Sequence, residues 1–135
     1  MKKKPQTILN EMNELLCDED KKSKVYNFLN KFSQCEVYAR YYLEMFYENE
    51  KPEDIVLIRD DILSAFNEEG IYFQNEKLLT CIFGQSNKAN DRSCKILRNK
   101  ITHKLNKTHL LEVIHKYDEL ISKMDEFIQQ VEEQS

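Results

Sequence analysis

Between Val25 and Phe46 the apolar residues Val25, Phe28, Phe32, Cys35, Ala39, Tyr42 and Phe46 recur at alternating intervals of three and four. That interval brackets the 3.6 residues of a helical turn, so the set falls on one stripe of a long helix, predicted over residues 24–49 with Ser23 as its N-cap. Such a stripe has to be buried against partners. With two Gly and two Pro in 135 residues, the chain has little material for the tight turns of an all-β fold, so the partners are expected to be further helices. The length suits one hydrophobic core. The expected fold is therefore all-α, a single-domain antiparallel helical bundle of about five helices covering residues 1–135, with 1–6 as a flexible basic tail.

The remaining helices follow from the same spacing. Thr7 is placed to cap a short first helix carrying Ile8, Met12 and Leu15 or Leu16, and the cluster Asp18–Lys22 reads as a solvated turn. Pro52, followed by Glu53 and Asp54, is expected to open a helix whose apolar face is Ile55, Ile58, Ile62, Ala65 and Phe66, ending near Gly70. A shorter apolar segment, Tyr72 to Phe83, is expected to be helical in its second half. Gly84–Asn90 is a loop by composition, and Asn90 or Asp91 is a natural N-cap for the helix after it. After a break at Asn106–Thr108, Leu110, Ile114, Tyr117, Ile121, Met124, Ile128 and Val131 predict one last helix, packed as an antiparallel hairpin with its predecessor.

Charge narrows the functional classes. A formal net charge of -4 with both signs interspersed excludes a general polyanion binder, so any nucleic-acid contact has to be local. Met1–Lys4 is followed by Pro5, Gln6 and Thr7 rather than an apolar run, and no stretch approaches membrane-spanning length, so a cytoplasmic protein is expected. Cys17, Cys35, Cys81 and Cys94 form no C-x-x-C pair and read as buried, reduced thiols rather than a disulfide or zinc framework.

One segment stands against that balance. From Arg92 to Lys107 the chain carries Arg92, Lys95, Arg98, Lys100, Lys104 and Lys107, together with His103 and no acid. On a helix over residues 91–105, Cys94, Leu97, Ile101 and Leu105 form the core stripe. Arg92, Ile96, Asn99 and His103 then lie along one flank, with Lys95, Arg98 and Thr102 along the other. Asn99 and His103, four apart, face the same way, so the amide is expected to hold the imidazole by a hydrogen bond. Arg98 and His103, five apart, diverge by about 140° around the helix and converge on a ligand only in a groove, at a frayed end or beside a second subunit.

These groups suit RNA chemistry. Imidazole changes charge near neutrality and can take the proton from a 2′-OH or return one to a leaving 5′-oxygen, while a guanidinium offers paired hydrogen bonds to a phosphate gathering charge. In-line attack of the 2′-OH leaves a 2′,3′-cyclic phosphate and needs neither metal nor cofactor. Lys95, Lys100, Lys104, Lys107 and Arg92 would hold flanking phosphates and make binding salt-dependent.

The run Arg98-Asn99-Lys100-Ile101-Thr102-His103, on a late helix of a small helical chain, resembles the R-N-x-x-x-H signature of the HEPN superfamily. The resemblance implies a metal-independent endoribonuclease in which Arg98 and His103 are the catalytic pair and Asn99 assists. It also implies a homodimer whose two motifs line one cleft, working in a toxin–antitoxin or antiviral system with an antitoxin or regulatory protein as partner. In one toxin branch a Tyr follows the motif His by two residues; here that position is Leu105, so control through such a tyrosine is not implied. The family also contains members that only bind. A non-catalytic helical module holding a nucleotide, RNA or protein partner is therefore the alternative, and a plain dimerisation scaffold the third.

Other residues supplement the site. Glu36 sits beside the apolar stripe of the long helix and is expected to be half-buried, bonded to Arg98 or His103 across the bundle or to Arg40 one turn away. With Thr102 it forms the supporting shell of the motif. His109 and His115, six apart, lack metal-ligand spacing, and no metal site is expected. The run Tyr38, Tyr41, Tyr42, Phe46, Tyr47 reads as core plus a dimer face rather than a base-stacking platform. The dimer face itself is expected on the helix of residues 91–105.

Overall fold

The structure, a computed structural model, describes residues 4–48, 55–85, 93–104 and 107–135. Among them are seven α-helices and no strand: α1 (Pro5–Leu16), α2 (Glu19–Phe46), α3 (Arg59–Glu68), α4 (Lys77–Phe83), α5 (Cys94–Lys104), α6 (Lys107–His115) and α7 (Tyr117–Gln134). The all-α class follows from the sequence. Several boundaries do not, and each displacement has a local cause.

The first helix starts at Pro5, with Lys4 rather than Thr7 in the capping position, because proline's fixed φ and missing N–H suit a first turn. Residues 5 and 6 therefore belong to α1 and not to a tail. The turn after α1 is shorter than the cluster, and α2 already begins at Glu19. Asp18 is the N-cap of α2, its Oδ1 accepting from the backbone N–H of Asp20 at 2.9 Å and of Lys21 at 3.2 Å, while Glu19 and Asp20 complement the positive helix end. Ser23 thus lies inside the helix. At the other end, Leu43 is buried and Phe46 exposed, since a seven-residue repeat drifts by about 20° per heptad on a straight helix.

Before α3 the chain is extended rather than helical. Ile55 and Leu57 are buried and Val56 is exposed, an alternation of period two, and the helix begins only at Arg59. The proposed start at Pro52 lies outside the described residues. Gly70 and Gly84, at φ of 79° and 76°, close α3 and α4 in the left-handed region that glycine enters at little cost. At α5 the capping group is Ser93, whose Oγ accepts from the N–H of Ile96 at 3.4 Å; Asn90 and Asp91 lie outside the described residues.

The expected last helix is two. Lys116, at φ -102° and ψ 11°, leaves helical geometry between α6 and α7. After this bend α6 packs on α2, α5 and α1, and α7 on α2 and α4, so α7 does not form the expected hairpin with α5. It lies along α2 in the same direction: Asn27 bonds Tyr117, Lys31 pairs with Asp125 at 2.8 Å, and Tyr38 donates to Glu132 at 2.9 Å. That central pair is parallel, which departs from a purely antiparallel bundle.

The core is aromatic at its centre. Phe32, Phe66, Phe83 and Phe127 are fully buried, and Phe83 lies 6.2 Å from Phe32 and 5.4 Å from Phe127, centroid to centroid. Burying side chains of this size supplies about 2–3 kcal/mol each and locks α2, α3, α4 and α7 to one another. Cys35 and Cys94 are buried as expected, whereas Cys17 and Cys81 are exposed. No helix among the described residues is long and apolar enough to cross a membrane.

Candidate functional site

Within the basic segment α5 is helical because Cys94, Leu97 and Ile101 recur every three or four residues and are each 4% exposed or less against the core. Leu105, the next residue of that stripe, lies outside the described residues. The stripe directs Arg98 towards α2. There the guanidinium carbon sits 4.7 Å from the ring centroid of Phe32, and Nη2 meets Glu36 Oε2 at 3.4 Å. Its Nε donates to Asn99 Oδ1 at 2.9 Å. Among the described residues the remaining Nη has no protein partner, so that edge of the guanidinium is the one a phosphate can meet.

Glu36 is half-buried, and it meets both candidate arginines. The same Oε2 that takes Arg98 lies 3.5 Å from Arg40 Nη2. One carboxylate therefore holds two guanidinium groups, and the cluster keeps a net positive charge beside α5. The Phe32 face adds a further attraction for Arg98 and restricts its tilt.

Asn99 does something other than expected. Its carboxamide oxygen is committed to Arg98, and no hydrogen bond among the described residues joins Asn99 to His103. The asparagine thus orients the arginine rather than the histidine. Thr102 turns its hydroxyl back onto its own helix, donating to the carbonyls of Arg98 at 3.0 Å and Asn99 at 3.2 Å. His103 is exposed, about 7.5 Å further along the helix axis than Arg98 and about 140° around it. Within one chain the two leave α5 in different directions.

The lysines divide. Lys95, expected on a flank with Arg98 and Thr102 and among the phosphate-binding groups, is 3% exposed, and its Nζ donates to the carbonyl of Leu57 in the extended segment before α3. The cause is its place one residue past Cys94, where α5 passes over that segment and a long stem can reach an otherwise buried carbonyl. Its ammonium is spent inside the fold. Ile96, expected on the same flank as His103, is also buried. Lys100 is half-buried and Lys107 exposed, while Arg92 and the side chain of Lys104 lie outside the described residues.

A groove between α5 and α6 was not foreseen. It encloses about 430 Å³ over Ile96, Leu97 and Leu111, with Lys100, Thr108, Glu112 and His115 around it. The signal was present in the sequence, since Thr108, Leu111, Glu112 and His115 share one face of a helix at spacings of three and four. Among the described residues no group of three or more His, Cys, Asp or Glu is placed to hold a metal ion.

Compared with protein-family models, with curated proteins and with solved structures, the chain matches none. The functional reading therefore rests on the residues themselves.

Proposed function

We propose that the protein is a metal-independent endoribonuclease of the HEPN type, active as a homodimer. The observation that carries this reading is the fixed Arg98. Its guanidinium is oriented by Asn99, Glu36 and Phe32 with one edge left over, while His103 on the same helix stands exposed and accessible to RNA. Arg98 stabilises charge on the scissile phosphate. His103 takes the 2′-OH proton or returns one to the 5′-oxygen as the P–O5′ bond breaks, leaving a 2′,3′-cyclic phosphate and a 5′-OH. Lys100 and Lys107, with Arg92 and Lys104, hold the flanking backbone.

The divergence of Arg98 and His103 within one helix calls for a second chain. Val37, Tyr41 and Met45, spaced by four on the outer face of α2, are 68%, 59% and 36% exposed, an apolar row beside Glu36 and Arg40. We propose that a second copy docks on this row, beside Glu36 and Arg40, as an extension of the dimer face expected on α5. The biological setting suggested by the resemblance is growth arrest or antiviral defence, with an antitoxin or regulatory protein controlling the enzyme.

The test is RNA cleavage in EDTA by wild type, His103→Ala and Arg98→Ala, with the 3′ ends identified. Cyclic phosphates from wild type, lost in both variants, are the expected result. The same divergence also favours a second reading, a non-catalytic module that holds RNA, a nucleotide or a protein through its basic face; intact RNA that still binds wild type and binds both variants more weakly would establish it.

A further inference from the structure

We infer that the groove between α5 and α6 is a subsite for a single nucleotide, which takes its base on an apolar floor and its phosphate on Lys100. This deepens the ribonuclease reading and rests on it for the source of the nucleotide, the RNA strand next to the bond that is cut.

The geometry is that of a small-ligand site. A volume of about 430 Å³ lies within the roughly 300–1,000 Å³ that such sites occupy. The apolar lining is Ile96 and Leu97 from α5 and Leu111 from α6, side chains against which an aromatic ring can rest. Around it stand hydrogen-bonding groups of three kinds: the Thr108 hydroxyl, the His115 imidazole and the Glu112 carboxylate. A base edge, with its mix of donors and acceptors, uses such a set; a plain inorganic anion does not.

The charges select the phosphate end. Glu112 is already met by Lys116 at 3.2 Å, which offsets its repulsion of an anion. Lys100 has no ion-pair partner among the described residues, and its stem lies against the groove. Thr108, the second residue of α6, places its hydroxyl at the same groove. The placement also connects the groove to the motif. Lys100 and His103 are three apart on α5 and leave it on the same side, whereas Arg98 and Lys100 are about 200° apart. A strand reaching His103 therefore arrives beside Lys100 and the groove, and only the scissile phosphate has to reach an arginine.

The test is titration of the isotope-labelled full chain with 3′-AMP, 3′-UMP, adenosine and inorganic phosphate, followed by amide NMR. Expected are saturable shifts for 3′-AMP or 3′-UMP at residues 96–100 and 108–115, with adenosine and phosphate each binding several-fold more weakly. In Lys100→Gln the mononucleotide should bind several-fold more weakly. No shifts at the groove would overturn the inference, and so would phosphate binding as tightly as the nucleotides, since the floor would then contribute nothing. Because the wild-type titration involves no cleavage, groove binding without RNA cleavage removes the nuclease reading alone, and cleavage without groove binding removes the subsite alone.

Discussion

Arg98 and Glu36, sixty-two residues apart in the chain, meet at 3.4 Å where α5 crosses α2, and the carboxylate oxygen that joins them also lies 3.5 Å from Arg40. The contact fixes an arginine without neutralising its surroundings, because one negative charge is shared by two positive ones. Glu36 acts here as a positioning residue. It touches no substrate in the proposed reaction.

Replacing it separates position from charge. Glu36→Gln keeps the shape and removes the charge, leaving two guanidinium groups facing each other. Because both partners are partly solvated, the loss of stability should be modest, about 1 kcal/mol, read as a lower urea midpoint at unchanged slope. RNA should bind more tightly at low salt, since the site gains positive charge, while cleavage slows as Arg98 loses its fixed orientation. Tighter binding with undiminished cleavage would remove the positioning role.

Lys95 should behave as a structural residue. Lys95→Met keeps the stem and deletes the ammonium that donates to Leu57, leaving a buried carbonyl without that donor, at a cost of about 1–3 kcal/mol in urea unfolding. The salt dependence of RNA binding should not change. A slope shallower by about one would mean that this ammonium reaches phosphate after all.

The cysteines should divide by location. Burial is the main cause that pushes the Cys94 thiol up to about 12, and it raises Cys35 further still, so both stay protonated and unreactive at pH 8. Iodoacetamide should therefore label Cys17 and Cys81 in the native protein and the other two only after unfolding. For a thiol whose folded pKa is raised, the unfolded chain releases its proton first as pH rises. Stability linked to Cys94 is thus complete below pH 9 and is lost between about 9 and 12. Urea midpoints across that window check the sign, and Cys94→Val should flatten the fall.

How far the sequence reaches can be judged from α2 and α5. The α2 stripe was legible because six of its residues from Val25 to Tyr42 are buried, a periodicity that burial itself imposes. The junctions were not legible, since Asp18 and Ser23 both carry capping side chains and the helix starts at the first, where Asp18 accepts from Asp20 and Lys21. Glu36 was legible as a half-buried carboxylate with an arginine partner. Asn99 was not: a side chain four residues before a histidine and one after an arginine can serve either, and its choice depends on where Arg98 is already held. Lys95 failed for the same reason. Charge on a helix flank says nothing of a carbonyl that arrives from residue 57.

The parallel pairing of α2 with α7 also has a consequence for synthesis. Phe28, Phe32 and Cys35 are made early, yet α2 packs against α7, so the nascent chain keeps part of this apolar stripe open until residues 117–134 have emerged. Phe32 is also the plate beneath Arg98. The contacts of Arg98 with Phe32 and Glu36 thus rest on a helix whose core face is closed only when the last of these helices packs over the first long one.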